Sequence, residues 1–251
     1  MSKHPNYFIC DCDHMWDEVL ADNKRKAVCP ECGLKHYPIP SVTTIINNQL
    51  GWNNHTLRNW YAKMFRDGKD PENVRDTAAD TGTLCHEYIE SYSQKREINK
   101  DMLTTASMDD IIIAEAGLEH FKTIMQEHNY IITQSEEIVF SKEHRFGGRI
   151  DCGINDYILG DVKTSSYVYP SHIIQLAAYD RALREMGKMQ AKEWVIFHVS
   201  KDIEKPEDEI VTVHEISKEM IDEGWEIFKT LLWLNDKQKT FKLKPKKKSK
   251  D

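Results

Sequence analysis

The alternation of apolar and polar residues is clearest in the middle of the chain, where it predicts a β-hairpin. Residues 147–151 and 156–163 carry Ile, Tyr, Val and Leu, residue types that favour strands. Between the two runs stands Asn155-Asp156, a pair typical of tight turns. The pattern therefore predicts two paired strands joined by this turn.

The same hairpin concentrates charge. Side chains alternate between the two faces of a strand, so Asp161 and Lys163 are expected to point the same way while Val162 points into the core. Pairing of the strands is expected to set Asp151 beside Asp161. Two carboxylates and an ammonium group at one sheet edge are typical of a hard-cation site with a charged partner. A surface ion cluster is the alternative interpretation.

Helical periodicity surrounds this hairpin. Ser41 is the expected N-cap of a short helix. A second helix, with apolar positions from Trp52 to Phe65, is expected to end before Gly68 and Pro71. Four further segments have helical spacing, namely 80–90, 108–128, 170–186 and 218–235. Additional strands are predicted at 134–140, 192–199 and 209–214, so the sequence predicts an α/β fold.

Two pairs of cysteines form a second candidate site near the N-terminus. The four cysteines are Cys10, Cys12, Cys29 and Cys32. Two thiolate pairs separated by about 17 residues suit a tetrahedral structural Zn²⁺. The first pair is tighter than the usual Cys-x-x-Cys, so His14 with Cys12 is an alternative, and His36 is a spare ligand. Reduced, metal-free thiols are the alternative to zinc.

Composition sets wider bounds. Of the 251 residues, 30% are charged and 40% hydrophobic, as in an ordinary globular protein. This length is expected to hold one substantial domain and a small appendage. The sequence has neither an apolar run that could span a membrane nor the apolar segment of a signal peptide, so the expected compartment is the cytoplasm. In that reducing compartment, the six cysteines favour metal ligation or buried thiols over disulfides.

The charge balance does not exclude DNA as a substrate. The net charge is −7, but residues 241–251 contain six Lys and one Asp. This tail is expected to be disordered, either as a solvated end or as a segment that adds salt-sensitive affinity for phosphates. Elsewhere, acidic residues are expected at a metal site, where bound cations neutralise them.

The order of the central motifs resembles the PD-(D/E)XK nuclease superfamily. These motifs are Gly-x-x-Asp at 148–151, Asp-x-Lys at 161–163 and a following helix with Gln175 and Tyr179. The RecB-type branch, which includes lambda exonuclease and the mitochondrial genome maintenance exonuclease, is the most similar. The resemblance covers about residues 41–179. It implies a restriction-endonuclease-like core, in which helices flank a mixed central sheet.

The resemblance also implies roles for individual residues. The catalytic set it implies is Asp151, Asp161, Lys163, Gln175 and Tyr179. Mg²⁺ or Mn²⁺ would be held by Asp151, Asp161, the main-chain carbonyl of Val162, and His86 from a Gly-x-x-x-His helix. Oxygen-rich coordination with a single imidazole suits these ions better than zinc. Lys163 would orient or deprotonate the attacking water, or stabilise the phosphate.

Four neighbouring residues are further candidates. Glu136 and Glu137 stand at the strand where family members often place an acidic residue, and at most one of two adjacent strand residues faces the site. Surface carboxylates are the alternative for both. Thr164 and Ser165 directly follow Lys163 and are candidate donors to phosphate oxygens.

The expected function is a metal-dependent DNA nuclease. By resemblance, it is an exonuclease that acts on DNA ends or single strands in recombination, repair or replication, with a recombination or replication protein as an expected partner. The alternatives are a site-specific endonuclease on the same core and a noncatalytic nucleic-acid-binding module. The chain is predicted to consist of a zinc-ribbon-like unit (1–38), a nuclease domain (39–240) and a basic disordered tail (241–251). Some relatives carry an iron–sulfur cluster, but their cysteines bracket the nuclease core, whereas the four here precede it.

Overall fold

The computed structural model describes residues 5–20, 25–51, 54–202 and 204–241. The predicted basic tail lies outside the described residues from position 242 onward, as does Trp52. The N-terminal region contains two short antiparallel hairpins. The first pairs β1 (Asn6–Ile9) with β2 (Met15–Glu18), and the second pairs β3 (Ala27–Val28) with β4 (Lys35–His36).

Five helices follow the two hairpins. They are α1 (Val42–Gln49), α2 (Asn54–Arg66), α3 (Pro71–Gln94), α4 (Lys100–Thr105) and α5 (Met108–Glu127). The predicted cap of the first is confirmed, because Ser41 Oγ accepts a hydrogen bond from the backbone N–H of Thr44 at 3.1 Å. Pro71 separates α2 from α3 as predicted, and it also begins α3, since proline fits the first turn of a helix. The helix predicted at 80–90 is therefore part of a 24-residue helix.

The remaining elements form the central sheet, a separate two-stranded sheet and three further helices. In chain order they are β5 (Ile132–Ser135), β6 (Ile138–Ser141), β7 (Phe146–Arg149), β8 (Cys152–Ile154), β9 (Ile158–Lys163), α6 (Pro170–Glu185), β10 (Glu193–Val199), α7 (Glu207–Ile210), β11 (Val211–Ile216) and α8 (Lys218–Thr240). The five-stranded sheet has the order β11-β10-β9-β8-β5. It is mixed, because β9 and β10 are parallel while the other pairs are antiparallel.

Two of the predicted strands differ from the structure. The run 147–151 is not the first strand of the hairpin, because its residues up to Arg149 belong to β7, which pairs with β6 in a separate two-stranded sheet. The strand that pairs with β9 is β8, which begins at Cys152. The run 134–140 divides between β5 and β6, where Glu136 has a φ of 54° and turns the chain. The strand predicted at 209–214 begins at Val211, after the single helical turn of α7.

Buried apolar side chains cover both faces of the five-stranded sheet. On one face, Leu159 of β9 belongs to a core with α1, α6 and α8. On the other face, Val162 belongs to a core with α3 and α5. Each such fully buried aliphatic side chain contributes about 1.5–3 kcal/mol. Within the described ranges, no helix combines the length and apolar character needed to cross a membrane. The end of β9 is thus fixed between two cores.

Candidate active site

Asp151, which immediately precedes β8, and Asp161 of β9 lie at the end of the central sheet. The antiparallel register of β8 and β9 pairs Cys152 with Gly160. Asp151 precedes Cys152 and Asp161 follows Gly160, so the two aspartates stand at the next opposed position. The carboxylate of Asp151 accepts a 2.7 Å hydrogen bond at Oδ2 from the backbone N–H of Val162. Asp161 is almost fully buried, with 1% of its surface exposed. The hairpin therefore directs a second carboxylate toward the buried one.

Lys163 projects from the same face of β9 as Asp161. Its Nζ lies 2.5 Å from Asp161 Oδ2. Across the face, Gln175 Nε2 of α6 lies 3.5 Å from Asp161 Oδ1 and donates to the hydroxyl of Tyr179 over 3.1 Å. Gln175 and Tyr179 meet because residues four apart share one face of a helix. A chain of polar contacts thus runs from the lysine through the aspartate to the tyrosine.

Burial and neighbouring charges shift the pKa values of Asp161 and Lys163. Burial raises the pKa of Asp161 to about 7; the ammonium of Lys163 opposes that rise and the carboxylate of Asp151 adds to it. For Lys163, burial acts to lower the pKa, but the carboxylates of Asp161 and Asp151 outweigh it and the pKa is raised. Lys163 is therefore an ammonium ion at neutral pH in this arrangement.

His86 approaches Asp151 from the opposite face of the sheet. It belongs to α3, and its Nδ1 lies 3.9 Å from Asp151 Oδ2. Close packing of α3 on the sheet depends on Gly82, where an added Cβ would lie 2.6 Å from Thr164 Oγ1. Asp151 is consequently the residue at which groups from both faces meet.

Of the two candidate glutamates, only Glu136 faces this site. Glu136 lines the cleft described below, and burial followed by the negative charges of Asp151 and Glu90 raises its pKa to about 8. Glu137 instead forms an ion pair with Lys188. The left-handed backbone at Glu136 determines which of the two adjacent carboxylates points inward.

The two hydroxyl residues after Lys163 also differ in their surroundings. Thr164 lines the cleft. Ser165 donates its hydroxyl to the carbonyl of Tyr167 over 2.6 Å, and its own carbonyl lies 2.5 Å from His198 Nε2. Ser165 therefore stabilises the loop before α6, while Thr164 is the hydroxyl placed beside the site.

A cleft of about 810 Å³ opens beside these groups. Its walls include His86, Asp151 and Tyr179, and Asp161 and Lys163 are not among the described residues that line it. The cleft also contains Arg149, which the sequence interpretation missed. The available signal was its position two residues before Asp151, since strand alternation places such residues on one face.

The donor types fit a hard divalent cation. Carboxylates of Asp151 and Asp161, the carbonyl of Val162 and the imidazole of His86 supply oxygen-rich coordination with one nitrogen. Burial, and after it the negative charge of Asp151, raises the pKa of Asp161, and a bound cation would favour the ionised form. In the described part of the chain, the ligand atoms of His86, Asp151 and Asp161 do not all lie within 4.8 Å of one another. The residues therefore fit such an ion in the types of their donor atoms, not in the distances between those atoms.

The four N-terminal cysteines come together. Their Sγ atoms all lie within 4.8 Å of one another. Cys10 and Cys32 are separated by 3.4 Å between sulfurs, and Cys12 and Cys29 by 3.6 Å. Tetrahedral zinc with Zn–S bonds of about 2.3 Å requires sulfur separations of about 3.8 Å. This cluster is compatible with a zinc-binding site.

The two alternative histidine ligands occupy different positions. His36 Nε2 lies 3.1 Å from the sulfur of Cys10, so this imidazole borders the cysteine cluster. His14 instead stacks on Trp16, with ring centroids 5.6 Å apart, and its Nδ1 lies 3.9 Å from a carboxylate oxygen of Glu31.

Comparison with known proteins gives structural similarity alone. No family model matches the chain, and no curated protein matches it. A putative exonuclease from Eubacterium rectale is 14% identical, with a TM-score of 0.49 over 67% of this chain and 77% of that one. LHK-Exo, an alkaline exonuclease from Laribacter hongkongensis, is also similar. Its complex with dAMP is 14% identical, with a TM-score of 0.38 over 65% of this chain and 93% of that one. These values establish no family membership.

Proposed function

We propose that this protein is a metal-dependent nuclease that hydrolyses DNA. The observation that carries the proposal is the arrangement at the end of β9. Asp161 and Lys163 are 2.5 Å apart, Asp151 is hydrogen-bonded to the intervening Val162, and a cleft opens beside them. Carboxylates that hold a cation, next to an ammonium group, are suited to phosphodiester hydrolysis. The motif order typical of the PD-(D/E)XK superfamily supports the same assignment.

Mg²⁺ or Mn²⁺ would be held by Asp151, Asp161, the carbonyl of Val162 and His86. When bound, the ion supplies neutralisation of phosphate charge and lowers the pKa of a coordinated water. Without the ion, the carboxylates of Asp161 and Asp151 raise the pKa of Lys163, so the ammonium form donates hydrogen bonds to a phosphate oxygen or to the attacking water. Deprotonation of that water by Lys163 would require the bound ion to offset the two carboxylates.

Gln175 and Tyr179 of α6 would orient Asp161 and the bound strand. Tyr179 receives a hydrogen bond from Gln175, and Gln175 also lies near Asp161 Oδ1. Tyr179 lines the cleft, so its ring and hydroxyl are placed to contact the bound strand, while Gln175 positions Asp161. Thr164 and Glu136 complete the polar lining next to Asp151. In this proposal β9 holds Asp161 and Lys163, α6 holds Gln175 and Tyr179, and Asp151 immediately precedes β8.

The N-terminal cysteines form a separate, structural zinc site in this proposal. Cys10, Cys12, Cys29 and Cys32 would hold Zn²⁺ without an open position, so the metal contributes to folding and not to hydrolysis. We assign residues 1–38 to this zinc-ribbon-like unit, 39–240 to the nuclease domain and 241–251 to the basic tail.

Exonuclease action on DNA ends is the finer assignment, and the motif similarity to the RecB-type branch supports it. The same similarity indicates a role in recombination, repair or replication and a partner protein from those processes. The test compares linear with covalently closed DNA in the presence of Mg²⁺, Mn²⁺ or EDTA. Metal-dependent loss of linear DNA alone is expected. Discrete cuts in closed circles would indicate an endonuclease, and a mobility shift without cleavage would indicate a binding module.

A further inference from the structure

Arg149 is the cation of the cleft. Of the described residues that line it, Arg149 is the sole lysine or arginine, whereas four lining residues are acidic. Two of these, Glu87 and Glu90, are paired with Arg96. Asp151 and Glu136, the latter with a pKa raised to about 8, remain beside Arg149, and a polyanionic substrate would bring further negative charge. A phosphate that enters the cleft therefore has one strong cationic donor available on its walls.

The guanidinium of Arg149 is held by charge but retains donors. Its two terminal nitrogens lie 3.6 Å from Asp17 Oδ2 and 3.6 Å from Glu136 Oε2, distances too long for normal hydrogen bonds. Its Nε is buried and has no hydrogen-bond partner in the part of the chain that the structure describes. Arginine binds phosphate through paired N–H groups, so this side chain is oriented but not saturated.

One of these two anchors comes from the N-terminal unit, which packs directly on the β6–β7 hairpin. The ring of Tyr7 occupies the space above Gly147, where an added Cβ would lie 2.7 Å from Tyr7 Cγ, and meets Phe140 edge-on at 5.9 Å. Pro5 and Tyr7 also line the cleft. The unit that contains the cysteine cluster is therefore one wall of the site rather than a separate appendage.

We propose that Arg149 binds a backbone phosphate of the substrate and that Asp17, supplied by the N-terminal unit, is its positioning residue. The inference rests on the proposed nuclease function for the identity of the substrate. It assigns the N-terminal unit a part in substrate binding, in addition to any contribution of its metal to stability.

Two variants test the assignment, with a matched control. Arg149→Gln removes the cation, and Asp17→Asn removes the anchor. Asp13→Asn is the control, because Asp13 of the same unit pairs with Lys142 of the β6–β7 connection and does not line the cleft. Each variant is checked for thermal unfolding and zinc content. The measurements are kcat and KM on linear DNA, and the Kd for a fluorescein-labelled oligonucleotide with Ca²⁺ at several salt concentrations.

The direction in which Asp17→Asn changes KM and Kd decides whether Asp17 positions Arg149. Loss of a carboxylate strengthens binding of a polyanion through electrostatics alone, and Asp13→Asn measures that effect. We expect Asp17→Asn instead to raise KM and Kd, and to add nothing in an Arg149→Gln background. Arg149→Gln is expected to raise KM and Kd about tenfold or more with a smaller change in kcat. It should also lower the slope of log K against log salt by about 0.7–0.9.

Each possible result separates this inference from the proposed function. Normal KM, Kd and salt slope in Arg149→Gln would overturn the phosphate role while cleavage stands. Asp17→Asn behaviour equal to that of Asp13→Asn would overturn the positioning role. If the wild-type protein binds DNA without cleaving it, the nuclease proposal fails and the binding data still decide the role of Arg149. If it neither binds nor cleaves DNA, both proposals are wrong.

Discussion

The backbone N–H of Val162 donates to Asp151 Oδ2 over 2.7 Å, which joins the first acidic residue to the strand that carries Asp161 and Lys163. Asp151 therefore has a structural contact in addition to its proposed role as a metal ligand. The two roles are separable, because an amide oxygen can accept the same hydrogen bond but is a weaker ligand for a hard cation.

Asp151→Asn and Asp151→Ala are expected to differ in stability and agree in activity. Both should lower the rate of DNA cleavage by at least about a hundredfold. Only the alanine variant leaves the N–H of Val162 without its acceptor, which costs about 1–3 kcal/mol. Cleavage rates and urea denaturation measure the two effects. Equal losses of stability in the two variants would contradict the structural contact.

Lys163→Ala is expected to abolish cleavage while the protein remains folded. Removal of the ammonium group takes away the donor beside Asp161, with an expected loss of at least about a hundredfold in rate. Lys188→Ala is the matched control, since Lys188 also pairs with a carboxylate, but with that of Glu137, which is not a proposed metal ligand. Substantial turnover in Lys163→Ala would refute the assignment.

Asp161→Ala should combine loss of cleavage with weaker binding of Mn²⁺. The buried carboxylate is a proposed metal ligand, so the variant removes a coordinating oxygen as well as the partner of Lys163. Titration of Mn²⁺ followed by calorimetry measures the affinity directly. Unchanged Mn²⁺ affinity would remove Asp161 from the proposed ligand set.

Cys29→Ser should lower zinc content and thermal stability together. We expect Tm to fall by about 5–10 °C. In a protein of this size, where each kcal/mol of unfolding free energy shifts Tm by about 2–4 °C, this fall corresponds to a loss of about 2–3 kcal/mol. His14→Ala should retain the metal, since the four cysteine sulfurs already lie within reach of one another. Metal analysis and calorimetry check both variants. A zinc-free Cys29→Ser protein of full stability would contradict the structural site.

Glu87→Gln should remove part of the acid sensitivity of folding. Glu87 is buried, which acts to raise its pKa, but hydrogen bonds from Arg96, the N–H of Asn99 and Ser91 outweigh burial and lower it. The stability from this ionised group is present above the unfolded pKa, near 4.5, and is lost as pH falls through the lower folded pKa.

The substitution itself weakens a partly exposed ion pair and should cost about 1–3 kcal/mol at neutral pH. The difference in unfolding free energy between the two proteins should narrow as pH falls below about 4.5. Urea denaturation at a series of pH values measures it. A difference that stays constant down to the acid transition would show that Glu87 is not the responsible group.

Local signals in the sequence were sufficient for several elements. Asn155 and Asp156 have φ values of 52° and 63°, and the N–H of Tyr157 donates to the carbonyl of Ile154, as expected for a turn built on such residues. Helix α6 begins at Pro170, as predicted. These features depend on residues adjacent in sequence, so a single chain reveals them.

Features set by distant partners were not predictable in this way. The break before Asp151 arises because β7 pairs with β6 and β8 pairs with β9, and strand alternation within one segment contains no information about that choice. Glu136 likewise lies at the break between β5 and β6, where its φ is 54°. Helix α4 was missed because it is one short helix with no buried residue to impose a periodic pattern.

Gly147 and Gly148 illustrate how adjacent positions can serve different parts of the molecule. An added Cβ at the first would meet Tyr7 of the N-terminal unit, and one at the second would lie 2.5 Å from Tyr179 Cε1. The two absent side chains leave recesses on opposite faces of β7, each filled by a tyrosine from a different region. A methyl group added at Gly147 would therefore disturb the attachment of the N-terminal unit, whereas one added at Gly148 would disturb Tyr179 of the catalytic face.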